Sequence, residues 1–184
     1  MSNCGAFANN GILDFYKVPN LNAAANVRIR ADMYKWPNLN GILNHRFIRL
    51  YIVQNDIFAT KAGIVLLEVR KGYSKAKLDI KPEHLNAGAR TQGGAIFTLA
   101  DLALAAAANS HGTLAFSLSS TITFVRASGP GDTLYAEAHE RYIGRSTGCY
   151  QVDITNQNGD LIATFESSVF RKEQKVPFEI EKEK

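Results

Sequence analysis

One carboxylate stands out in this chain of 184 residues. Asp101 lies in the run Gly93-Gly94-Ala95-Ile96-Phe97-Thr98-Leu99-Ala100, followed by Leu102, Ala103, Leu104 and further alanines to Asn109-Ser110. A lone carboxylate among alanines and leucines is costly to bury unless it is paired or hydrogen-bonded. Burial without a cationic partner raises its pKa, which suits a general base or a nucleophile. The competing reading is an Asp on a narrow exposed stripe, or one satisfied by a neighbouring Ser or Thr. Gly93-Gly94 opens the same run. Free N–H groups at a helix N-terminus polarise a carbonyl oxygen, and glycine lets a ligand approach the backbone. By itself such a pair is more often a turn.

Spacing links the two features. Eight residues of helix separate Gly93 from Asp101 by about 12 Å, at roughly 1.5 Å per residue. An Asp side chain does not cover that gap. If both act on one substrate, the Asp comes from a second, antiparallel copy of the helix, as a two-fold dimer would supply. Otherwise only one of the two is functional.

The elements that hold these residues are legible from periodicity. Residues 93–110 are apolar nearly all round and end at His111-Gly112, so the spacing predicts one long helix buried on most sides. Ala76, Leu78 and Ile80 alternate with polar neighbours, as do Phe116 to Phe124 and Tyr150 to Ile154. Period two marks strands with one buried face. Turn chemistry separates them at Lys71-Gly72, Gly129-Pro130-Gly131-Asp132, Gly144 and Asn156-Gln157-Asn158-Gly159. Four strands between 114 and 171 without an intervening helix require a largely antiparallel sheet. The expected class is α+β, a sheet wrapped about one central helix. Phe47 to Phe58 predicts a further amphipathic helix ending at Gly63.

These residues carry a resemblance. His84-Leu85-Asn86, Gln92-Gly93-Gly94, Leu99-Ala100-Asp101, Phe124-Val125-Arg126 and Gly131-Asp132-Thr133-Leu134 resemble the hotdog-fold acyl-CoA thioesterases, most closely the phenylacetate-degradation (PaaI-type) branch. The similarity covers roughly residues 55–172. It implies a curved antiparallel sheet around a helix, a homodimer with sites shared across the interface, and a pairing of dimers into tetramers. It implies Asp101 as general base or nucleophile, Gly93 N–H as the holder of the thioester oxygen, and Asn86 as a positioning group. Ser117, from the same subunit as Asp101, would orient the water. The family usually has His where this chain has Gln92, which keeps hydrogen-bonding capacity but does not titrate near neutral pH. Gly94 and Phe97 would meet the acyl group, and Arg126 and Arg145 the coenzyme A phosphates. No metal and no cofactor are implied; the substrate is an aryl- or medium-chain acyl-CoA. The alternatives are a non-enzymatic acyl-CoA-binding dimer and a hotdog hydratase, the latter disfavoured by the missing His.

Plainer roles fall to the other candidates. Asn86 sits where an Asx turn is as natural as a catalytic contact. Ser117 also reads as a solvated strand position. His111 follows the helix end and suits its dipole. His84 reads as a loop anchor, and His45 and His139 have no convergent partner.

Charge divides the chain. Residues 1–55 carry six basic and two acidic side chains, while the remainder balances, so the net +4 belongs to the first third. The neutral body excludes a uniformly basic nucleic-acid-binding domain. No run approaches 18 apolar residues, so no membrane-spanning helix is expected. Residues 1–45 read as a basic, Asn-rich, irregular extension, 46–174 as the hotdog domain, and 175–184 as a charged tail. An Arg-rich, acid-poor start also suits a transit peptide, but the segment is Ser-poor. Cys4 and Cys149 form no disulfide framework, and a reducing cytoplasm fits.

Overall fold

A computed structural model describes residues 51–52 and 55–176, with the backbone alone of Lys175. Its elements are α1 (Ile57–Lys61), β1 (Val65–Arg70), β2 (Tyr73–Asp79), a 3-10 turn (Pro82–His84), α2 (Gly93–Asn109), β3 (Thr113–Phe124), β4 (Thr133–Ile143), β5 (Thr147–Thr155) and β6 (Leu161–Lys175). All six strands form one antiparallel sheet in the order β1-β2-β4-β5-β6-β3. The sheet curves around α2, the α+β hotdog arrangement that the sequence led us to expect.

The core explains why. From the sheet, Leu66, Ala76, Leu78, Leu134, Ala136, Val152, Ile154, Phe165 and Val169 are buried against Leu99, Ala100, Ala103, Leu104 and Ala107 of α2. Alternation on β2, β4 and β5 supplies the inner face. On β3 the expected buried face is not buried in the single chain: Phe116, Leu118 and Phe124 are exposed, because that strand is the edge of the sheet. Alanines let the helix backbone approach the sheet closely enough for the buried Ser74 hydroxyl to donate to the Ala103 carbonyl at 2.6 Å. At the helix end, Ser110 Oγ donates to the Ala107 carbonyl and accepts from Gly72 N–H, which ties α2 to the β1–β2 turn. The Asn109 side chain then grips Ala115 N–H and carbonyl, setting the start of β3.

One expectation changes. The helix predicted from Phe47 onward is interrupted at Asp56, whose backbone leaves the helical region (φ −84°, ψ 81°) and whose carboxylate caps α1 through Ala59 N–H at 3.0 Å. Residues Phe47–Leu50 lie outside the described residues. Asp prefers a cap to a helix interior because its carboxylate competes for nearby N–H groups. Gly63, at φ +78°, then turns the chain into β1.

Candidate active site

α2 starts where Gln92 caps it. The Gln92 backbone is extended and its Oε1 accepts from Ala95 N–H at 3.1 Å. A Cβ on Gly94 would lie 2.6 Å from that oxygen, so the folded-back Gln92 side chain occupies the space that a larger residue would need. A Cβ on Gly93 would lie 3.0 Å from Cζ of the Phe124 ring, at the end of β3. Among the described residues, none accepts from the Gly93 or Gly94 N–H groups. These are the helix-start donors that suit a developing oxyanion.

Around the helix, burial is uneven. Gly94, Thr98, Asp101 and Ala105 form a stripe that is less buried than the faces carrying Leu99, Ala100, Leu102 and Ala103. Asp101 therefore sits half-buried on a narrow stripe within the single chain. Its Oδ1 accepts from Ser117 Oγ at 3.4 Å, a long contact from the adjacent edge strand β3. Burial pushes the Asp101 carboxyl above the ordinary carboxylate range; the Ser117 hydroxyl opposes this, and the negative charge of Asp56 adds to it. No cation contributes to the shift.

Asn86 does something the sequence left open. Its Oδ1 accepts from Gly88 N–H (2.9 Å) and Arg90 N–H (3.2 Å), so the side-chain oxygen builds the loop as an Asx turn. The residue is exposed, and its Nδ2 adds two donors that the turn does not use. The loop is anchored by buried His84, which accepts at Nδ1 from Lys81 N–H and meets the Ala62 carbonyl at 2.9 Å through Nε2. Those partners require the neutral tautomer with the proton on Nε2. Thr91 and Ser128, both buried, close the loop's other side through a hydroxyl pair at 2.8 Å. Neither Thr91 nor Ser128 carried a sequence signal, because each is polar only until its distant partner covers it.

Other candidates are dispersed. Phe97 packs edge-on against Phe165, with ring centroids 5.1 Å apart, as part of the core margin. Arg126 forms an ion pair with Asp160 at the end of the sheet near Gly93. Arg145 is exposed in the β4–β5 turn, at the opposite end, so the two arginines do not converge. His111 meets Glu140, to which Tyr150 also donates, rather than standing alone at the helix terminus. His139 packs at a tilt against Tyr73, and His45 lies outside the described residues. Among the described residues no group of three or more His, Cys, Asp or Glu converges, and no helix is long and apolar enough to cross a membrane.

Comparison with known proteins bears on this arrangement. The family model of the thioesterase superfamily matches residues 91–163. A candidate esterase of Archaeoglobus fulgidus is 39% identical over 127 residues, 69% of this chain and 82% of that protein. The acyl-coenzyme A thioesterase PaaI of Escherichia coli is 36% identical over 118 residues, 64% of this chain and 84% of its own. A solved structure of E. coli PaaI superposes with a TM-score of 0.70 at 32% identity, covering 72% of this chain and 96% of that one. A Streptococcus mutans protein solved with acetyl-CoA gives a TM-score of 0.59 at 26% identity, over 61% of this chain and 91% of the other.

Proposed function

Given that the chain belongs to the thioesterase superfamily, in its PaaI-type hotdog branch, we propose that it hydrolyses an aryl- or medium-chain acyl-CoA to the free acid and CoA. The observation that carries the reading is the pairing on α2 of unclaimed helix-start N–H groups with a half-buried carboxylate of raised proton affinity. The Gly93 N–H, with Gly94 beside it, receives the thioester oxygen and stabilises the charge that develops there. Asp101 takes a proton from water, or attacks the carbonyl itself. Ser117 holds the carboxylate, and the Nδ2 of Asn86 is free to orient water or substrate. Gln92, whose Oε1 caps α2, keeps amide donors that do not titrate.

Because Gly93 and Asp101 are about 12 Å apart on one helix, each site combines Gly93 of one subunit with Asp101 of another. β3 supports such a dimer. It is a sheet edge of twelve residues with neither charge nor proline, and it exposes Phe116 (50%), Leu118 (62%) and Phe124 (51%). Edges of that kind ordinarily pair with another chain. A pairing of dimers belongs to the same reading, as does a reducing cytoplasm, which suits the exposed free thiol of Cys149. Binding of the CoA phosphates falls to Arg126 of one sheet end and Arg145 of the other, brought together only by a second subunit.

The test is hydrolysis of a panel of aryl- and acyl-CoA thioesters by wild type and Asp101→Asn. The variant should lose at least about a hundredfold in kcat, the usual lower bound for a positioned acid–base group. Equal rates, or no turnover of any substrate by wild type, overturn the reading; acyl-CoA binding without turnover would instead favour a binding protein. Single turnover in oxygen-18 water separates the two routes, since the label enters Asp101 only after direct attack.

A further inference from the structure

A second carboxylate reaches the stripe of α2 from outside the central helix and sheet. Tyr51, Ile52, Asn55, Asp56, Ile57 and Phe58 line a shallow, largely apolar hollow whose floor is Ala105. Ala105 lies one turn beyond Asp101 on the same helix face, since residues four apart are stacked. Asp56 is held there for a structural reason: one of its oxygens caps α1 through Ala59 N–H, and its backbone carbonyl accepts from Thr60 N–H. Capping uses Oδ1 and leaves the charge of the carboxylate uncompensated, with no described cation paired to it.

We propose that Asp56 is a positioning residue of the thioesterase site: the cap of α1 sets its carboxylate over the Asp101 stripe, where its charge acts through space on the catalytic carboxylate. The inference rests on the reading of Asp101 given above. Two like charges sharing a partly dry face disfavour joint ionisation, so Asp56 contributes to the raised proton affinity of Asp101. A carboxylate with higher proton affinity is a stronger base toward water. On the same side Tyr51 lines the hollow and Lys61 ends α1. The ionisable groups of the sheet meet at the other end of α2: Glu140 of β4 and Tyr150 of β5 are joined with His111, and Arg171 of β6 acts on Tyr150. β1 and β2 present Leu66, Ser74, Ala76 and Leu78 to the helix, and β3 presents Ser117.

Asp56→Asn isolates the charge, because Asn caps a helix as well as Asp does. The experiment is a carbon-13 NMR titration of the Asp101 side-chain carboxyl at low salt, in wild type and Asp56→Asn. The acidic limb of kcat/KM is measured in parallel on the best acyl-CoA of the panel. In Asp56→Asn both the Asp101 titration and the acidic limb should move to lower pH, with the circular dichroism spectrum unchanged. Salt should diminish the difference, since partly exposed charges are screened. Superimposable curves, with Asp101→Asn inactive, overturn this inference alone. A shift seen in Asp56→Ala but not in Asp56→Asn also overturns it, by assigning the effect to loss of the cap. An Asp101→Asn enzyme as active as wild type sinks the catalytic reading, and the role of Asp56 in hydrolysis with it.

Discussion

At the scale of single residues, Asp101 shows what it costs to half-bury the carboxylate proposed for catalysis. Its folded-state pKa is raised chiefly by burial, so the folded protein binds the Asp101 proton more tightly than the unfolded chain. The sign of the linkage follows. Stability from this group is greatest below the ordinary carboxylate pKa and falls as pH rises toward the raised value; above both it stays at the lower level. Asp101→Asn, which removes the charge and keeps the shape, should therefore raise the thermal midpoint at pH 7 to 8. That gain should shrink below the ordinary carboxylate range. Scanning calorimetry across pH measures it, and an equal or lower midpoint at pH 7.5 contradicts the desolvation argument. Gain in stability with loss of rate is the expected signature of a residue kept for chemistry.

At the scale of elements, the site depends on a loop whose polar groups are nearly all spent on itself. His84 connects Lys81 N–H to the Ala62 carbonyl, and so fastens the loop carrying Asn86 to the turn after α1. Both groups lose a partner in His84→Ala. Loss of these two part-buried hydrogen bonds should cost about 0.5–1.5 kcal/mol each, read as a lower urea midpoint with an unchanged slope. Alternation made β2, β3 and β5 legible, and an all-apolar stretch made α2 legible, because both signals are local in the chain. That the apolar face of β3 stays exposed at a sheet edge is not a local property. The break at Asp56 was less visible. The apolar spacing of Phe47 to Phe58 satisfies a continuous helix, and only the capping preference of Asp argues for a stop.

For the whole molecule, the consequential surface is the β3 edge. A dimer that pairs this edge would cover Phe116, Leu118 and Phe124 and bring two α2 helices into opposition, in keeping with the composite site. Leu118→Asp, which sets a charge into a paired β3 edge, should yield a monomer with near-native circular dichroism and little hydrolysis. Sedimentation velocity decides it: a variant that stays dimeric, or a monomer with full activity, contradicts the shared site. Like-charged Asp side chains facing each other across an antiparallel pair supply the repulsion on which the design relies.

The sequence by itself determined the class of fold, the order of the strands along the chain, the central helix and the residues able to do chemistry. Each of these depends on side-chain type and local period. Only the tertiary structure decided how those residues are employed. It turned the Asn86 oxygen into a loop support, paired Arg126 with Asp160, and laid Asp101 along a half-open stripe beside Ser117. It also brought Asp56 into one hollow with Ala105, a turn from Asp101, although 45 positions separate the two carboxylates. The reason is physical: a side chain's solvation and partners are set by groups far along the chain, and periodicity carries no record of them.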